Sequence, residues 1–170
     1  SEDRFCLHLL SNILGGGMSS RLFQNIREKR GLVYAIESSL NLYQDAGTLV
    51  VSAATAPHSA ATVVRLVLKE FRNLKDRLVS TEELIRAKEC IKGSLALSLE
   101  SSSSRMMYLA QQQIDFGRFF SMEEILRHVD RVRREDIRRL AQKLFDSSRL
   151  TLAALGNSNG SPLESIALRI

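Results

Sequence analysis

The sequence predicts an α+β fold: a mainly antiparallel sheet with helices packed on one face. Three observations carry that expectation. Apolar residues recur at helical spacing through most of the 170 residues. Two adjoining stretches, Tyr34 to Leu42 and Thr48 to Ala54, read as strands, and the turn composition Gln44-Asp45-Ala46-Gly47 between them makes an antiparallel hairpin the economical arrangement. A last apolar run, Leu150 to Leu155, is short and late enough to be a buried strand returning to the sheet.

The elements follow in order. Asp3 to Leu14 is a helix with Phe5, Leu9 and Ile13 on one line and Cys6, Leu10 and Leu14 on the next, a wide stripe for packing on a sheet. Gly15, Gly16 and Gly17 then interrupt it. Three glycines are tolerated where the chain turns with positive φ or another backbone comes close. A second helix follows, with Ser19 or Ser20 able to cap it and Leu22, Phe23 and Ile26 on one side. Lys29 and Arg30 suit its negative end, and Gly31 suits the position just past its last turn. After Gly31 the period changes to two: Tyr34, Ile36, Ser38, Leu40 and Leu42 alternate with Ala35, Glu37, Ser39 and Asn41. Arg27 in the last helical turn and Tyr34 at the head of the strand are thereby drawn near one another.

Beyond the hairpin, Pro57 opens a long core helix through Val63, Val64, Val67, Leu68, Phe71 and Leu74. Ser80-Thr81-Glu82-Glu83 is a capping box for the next helix, which runs through Leu84, Ala87, Ile91 and Leu95. Ser101 to Ser104 marks a helix–helix corner, and Met106, Met107, Leu109 and Ala110 resume the pattern. Ser121-Met122-Glu123-Glu124 reads as a second capping box, and Ile137, Leu140, Ala141, Leu144 and Phe145 define the last helix. Residues 1–156 form the expected domain. Residues 157–170, turn-rich around Pro162, form a tail in which Ile166, Leu168 and Ile170 could dock.

Composition narrows the function classes. Hydrophobic and charged fractions of 44% and 25% are those of a soluble globular protein, and no apolar run approaches the ~20 residues of a membrane span. The start, Ser1-Glu2-Asp3-Arg4, is not a secretory n-region. Cys6 and Cys90 lack metal or redox spacing and are expected to be buried free thiols, which favours a reducing compartment. The net charge of +5 raises the question of nucleic acid. The densest basic group, Arg131, Arg133, Arg134, Arg138 and Arg139, is broken by Glu135 and Asp136 and carries no aromatic stacking platform. It reads as a solvated helix face.

Chemistry-bearing motifs are scarce. His8, His58 and His128 belong to no carboxylate-spaced metal motif, so no residue is assigned to a metal. Ser101 to Ser104 have no His or Lys at useful spacing, and no G-x-S-x-G elbow occurs. The glycine triplet is not a P-loop, because Met-Ser-Ser-Arg follows where Lys and Ser or Thr are needed. It is not a dinucleotide fingerprint either, since Ser20 holds the third glycine position.

The stretch LGGGMSSRLFQNIREKRGLVYAIES resembles the signature of the second, non-zinc domain in zinc peptidases of the pitrilysin and insulysin clan, most similar to mitochondrial processing peptidase and bacterial processing proteases. The likeness continues through STEELIRAKECIKGSLALSLES and RVRREDIRRLAQKLF and covers about Asp3 to Gly156. The resemblance implies an α+β domain paired with a homologous one that bears an inverted H-x-x-E-H zinc motif. It implies that Arg27 and Tyr34 hold substrate backbone or oxyanion across the chamber, and that Gly15, Gly16 and Gly17 form a substrate loop. Both Arg27 and Tyr34 match the family pattern. The zinc motif is absent from this sequence, which resembles half of an active site: a metalloendopeptidase domain inactive alone, whose zinc-bearing partner lies upstream or on another polypeptide. Its implied partners are that domain or subunit and an extended peptide, with no nucleic acid and no membrane span, in bacterial cytoplasm or mitochondrial matrix. The alternative is a non-catalytic partner subunit of the same fold, as in the core subunits of the respiratory cytochrome complex; retention of Arg27 and Tyr34 favours the enzyme.

Overall fold

Helical periodicity in the sequence sorts the residues that end up inside. The structure, a computed structural model, describes residues 3–43, 45–156, 163 and 166–170. Helix α1 spans Asp3–Gly15 and buries Cys6, Leu9, Leu10, Ile13 and Leu14. A π-helix, Phe23–Glu28, leads to the hairpin of β1, Val33–Leu42, and β2, Gly47–Thr55. Five helices follow: α2 at Ala60–Asp76, α3 at Thr81–Ser98, α4 at Ser102–Phe116, α5 at Met122–Arg131 and α6 at Arg134–Leu144. None is long and apolar enough to cross a membrane. Helix α1 is the hub, packed against β1, α3, α5 and α6, while α2 packs on α6 with Phe71 stacked on Phe145 at 4.3 Å.

Local signals are met in atomic detail. The Ser80 hydroxyl accepts from Glu83 N at 3.0 Å, and the Glu83 carboxylate accepts from Ser80 N at 2.9 Å, closing the capping box. Pro57 heads a short 3₁₀ turn, Pro57–Ser59, that feeds α2, and Ser101 caps α4. At Ser121 only half of the expected box forms. Its hydroxyl accepts from Glu124 N at 3.1 Å, but the Glu124 carboxylate is taken by Arg118 at 2.9 Å.

Four expectations are corrected. Ser20 does not cap the second helix through its side chain: its hydroxyl is buried without a partner, and its carbonyl accepts from Gln24 N at 2.9 Å. Cys90 is exposed, because it lies off the Leu84–Ala87 line of α3, and its sulfur accepts from the Asn12 amide at 3.4 Å. The apolar pattern of α4 does not make it a core helix. Met106, Met107 and Ile114 are exposed, and Gln112 is its buried residue. Leu150 to Leu155 is no buried strand. The sheet of the described residues is β1 paired with β2 alone, so this segment has no neighbouring backbone to ladder with; it is exposed from Thr151 onward. Apolar content marks a segment suited to pairing but does not supply the edge.

The turn residue Gln44 and the stretch Asn157 to Pro162 lie outside the described residues. The end of the chain is docked: Ile166, Leu168 and Ile170 pack against the core, and Ile170 N donates to the Ser147 hydroxyl at 3.0 Å.

The glycine triplet serves a close approach rather than a positive φ, since none of the three has one. A Cβ on Gly15 would lie 2.6 Å from Ser38 N in β1, and one on Gly16 would lie 2.6 Å from Asn12 Cα, whereas Gly17 meets nothing within 4 Å. Gly15→Ala is therefore expected to destabilise the fold by about 1–3 kcal/mol through overpacking. Gly17→Ala is expected to stay within about 0.5 kcal/mol of the parent. Urea unfolding of the two variants checks this, and equal losses would show that the triplet acts as a unit.

Candidate functional site

Residues 21–32 make three commitments at once. Leu22 and Ile26 are fully buried, so they fix the helix to the core. Arg21 and Asn25, four apart, face the carboxylates of α2 and α3. Phe23 and Arg27, also four apart, occupy the outer side, with the Arg27 guanidinium 4.9 Å from the centre of the Phe23 ring. The helix is wound wider than an α-helix: Lys29 N bonds to Gln24 O at 3.1 Å, five residues back.

The exit is tight. Gly31 adopts φ 60°, as its place after the last turn predicts, and its N–H bonds to Arg27 O at 2.8 Å. Leu32 N returns to Ile26 O at 3.2 Å, and the Thr55 hydroxyl donates to Leu32 O at 2.6 Å. Strand β1 thus begins against the last helical turn.

At that start the register slips. Val33 faces Thr55 and Ala35 faces Ala54, leaving Tyr34 as the extra residue of a bulge. Simple alternation would put Tyr34 on the side of Ile36, which is buried. The bulge instead lets Val33 and Ile36 both point inward and leaves Tyr34 83% exposed. Arg27 is exposed as well. Among the described residues neither side chain has a hydrogen-bond or ion-pair partner, so a guanidinium and a phenol stand free at the two ends of one short link. Of the glycines, Gly15 is buried against β1, while Gly16 and Gly17 face solvent beside Met18.

Behind the helix lies a polar network that the sequence reading missed. Arg21 makes a two-pronged bond to Glu83, Nε to Oε1 at 2.7 Å and Nη2 to Oε2 at 3.0 Å. The buried Glu70 carboxylate accepts from Asn25 Nδ2 at 2.9 Å and Asn73 Nδ2 at 3.3 Å, with Arg21 4.0 Å away. The available signal was Glu70 itself, a carboxylate interrupting the apolar line of α2 beside Phe71.

Metal ligation finds little support in these donors. Among the described residues no three His, Cys, Asp or Glu side chains converge. His128 is stacked flat on Phe5 at 5.0 Å. Burial, chiefly, pushes the Cys6 thiol up to about 12, away from the thiolate a metal would need. Among the described residues, no donor set fits a zinc site.

Comparison with known proteins decides the family. The family model described as the peptidase M16 inactive domain matches residues 1–90, just over half of the chain. The chain belongs to the peptidase M16 inactive-domain family. An uncharacterized zinc protease of Mycobacterium tuberculosis is 39% identical over 155 residues, covering 91% of this chain and 35% of the relative. An uncharacterized zinc protease of Bacillus subtilis is 35% identical over 161 residues, covering 95% of this chain and 39% of the relative. This M16 domain therefore spans little more than a third of the length of such relatives. A protease from Helicobacter pylori superposes with a TM-score of 0.77 at 22% identity, over 86% of this chain and 35% of that one, which establishes the shared fold.

The network carries a pH signature. Burial alone would raise the Glu83 carboxyl, but the Arg21 guanidinium and the Ser80 N–H and hydroxyl outweigh it and hold Glu83 below the usual carboxylate range. A carboxyl with a lowered folded-state pKa stabilises the fold above its unfolded value of about 4.3, and that contribution is lost as pH falls through the folded value. The melting temperature is expected to fall more steeply below about pH 4 in the parent than in Glu83→Gln. Parallel profiles would remove Glu83 from the account.

Proposed function

We propose that this M16 domain is the substrate-holding half of a zinc-dependent metalloendopeptidase, working opposite a zinc-bearing domain or subunit outside this chain. The observation that carries the reading is the pair of unpartnered donors, Arg27 and the bulge-presented Tyr34, displayed at the head of β1. A guanidinium and a phenolic O–H can bind the carbonyls of an extended peptide and stabilise charge on the scissile carbonyl oxygen in the transition state. The names of the mycobacterial and Bacillus relatives, each an uncharacterized zinc protease, support the same reading. Zinc belongs to the partner half, where it would polarise the scissile carbonyl and activate water.

The substrate is a peptide in extended conformation, added as a strand beside the sheet. The hairpin offers strands of ten and nine residues for it. Gly16 and Gly17, the solvent-facing part of the glycine loop, leave room for it to pass. Against a nucleic-acid partner, Arg139 is engaged by Asp3 at 2.9 Å and Arg134 bonds to the Val79 carbonyl and Thr81, so the basic group is partly committed to holding the fold.

Two outcomes test the proposal. In the complete protease, Tyr34→Phe is expected to lower kcat on the order of 10²-fold with an unchanged melting temperature; an unchanged kcat removes the phenol from the site. The 170-residue chain alone is expected to bind no stoichiometric zinc and to cleave nothing. Tight, equimolar zinc in the purified chain would sink the division of labour.

A further inference from the structure

Arg27 has nothing of its own to hold its helix in one rotational setting, since its guanidinium lies over the Phe23 ring and makes no hydrogen bond or ion pair among the described residues. Its direction depends on how the backbone of residues 21–28 is rolled about its axis. Leu22 and Ile26 fix the depth of that segment, but an apolar contact is non-directional and permits the helix to roll. Directional bonds come from the opposite flank. At the start of the segment Arg21 is bonded to Glu83, and at its middle, nearer Arg27, Asn25 donates to Glu70 while its side-chain carbonyl accepts from Lys29 Nζ at 3.3 Å and its backbone carbonyl from Arg30. Glu70 is 7% exposed, and Asn73, on the same face of α2, holds its second oxygen.

A buried carboxylate in the apolar line of a core helix is costly unless it is fully bonded. A leucine there would pack without that cost. What the carboxylate supplies is a fixed acceptor whose partner, Asn25, stands two residues before Arg27 in a π-wound segment.

We propose that Glu70 is a positioning residue: through its bond to Asn25 it sets the roll of the π-helix and so aims Arg27 at the substrate. This rests on the reading of Arg27 as a substrate-binding group. Glu70 touches neither Arg27 nor the open face, so it acts only through the segment it holds.

The test is a double-mutant cycle in the full-length protease containing this chain, with random-sequence quenched-fluorescent decapeptides as the probe. Four proteins are compared: the parent, Arg27→Ala, Glu70→Leu, which removes the acceptor of Asn25, and the double variant. The readouts are kcat/KM, the Kd of the same peptides on metal-stripped protein by anisotropy, and the melting temperature. Glu70→Leu is expected to lower kcat/KM on the order of 10-fold and weaken peptide binding in parallel, because a displaced binding group loses rate steeply. In the Arg27→Ala background the same change is expected to have no further effect on either quantity, while its effect on the melting temperature remains. Equal losses in both backgrounds, or no loss in the first, overturn the proposal. If Arg27→Ala leaves kcat/KM and Kd unchanged, the role of Arg27 itself fails, which is a distinct result. Should Glu70→Leu not fold, Asn25→Ser cuts the same bond at its more exposed end and is expected to show the same loss of effect beside Arg27→Ala; additive losses there overturn the proposal equally.

Discussion

The contact on which the rest depends is the close approach of the C-terminal end of α1 to the backbone of β1. Gly15 lies so near Ser38 that a single methyl group would collide with its amide. The Ser38 hydroxyl donates to Ser11 O at 2.7 Å across the same seam. With helix and strand pressed together there, the intervening chain must leave α1, wind the π-helix and re-enter the sheet within the residues between Gly16 and Leu32. The positive φ of Gly31, the wide winding and the bulge at Tyr34 are the local means by which it does so. Each costs some regularity, and together they turn two donors outward that regular structure would have placed elsewhere.

That arrangement separates holding from acting. Core side chains and the Arg21, Asn25, Glu70 and Glu83 network hold the segment from within. Arg27 and Tyr34 face out, and among the described residues their polar groups have no hydrogen-bond or ion-pair partner. A donor already bonded inside its own protein would have to break that bond before serving a substrate; a free one does not. Pre-set, unpaired donors are what electrostatic stabilisation of a developing charge requires.

Where a feature is decided by a few adjacent residues, it was legible in the sequence. The Ser80–Glu83 capping box, Pro57 before α2, Gly31 after the π-helix and the core lines of α1 and α2 all follow from local chemistry. The placing of Arg27 at the helix end and Tyr34 at the strand head was legible from the local pattern, whereas a substrate role for the two is implied only by resemblance. The bulge was invisible: nothing in Val33-Tyr34-Ala35 distinguishes it from ordinary alternation. A π-helix of six residues is equally silent, since Leu22 and Ile26 are four apart in either winding. Leu150 to Leu155 and the α4 methionines have the composition of buried elements without a partner surface among the described residues, and composition cannot report on partners. Cys90 failed for another reason: it sits beside Ile91 but off the line of α3 that faces the core.

The most direct measurement is a structure of the complete protease with an uncleavable extended peptide bound. The account predicts a peptide lying as an added strand beside the hairpin, with Arg27 and Tyr34 within hydrogen-bonding distance, roughly 2.6–3.2 Å, of its backbone carbonyls and a zinc held by residues of the other half. A peptide bound away from the head of β1, with both side chains still free in solvent, would contradict it.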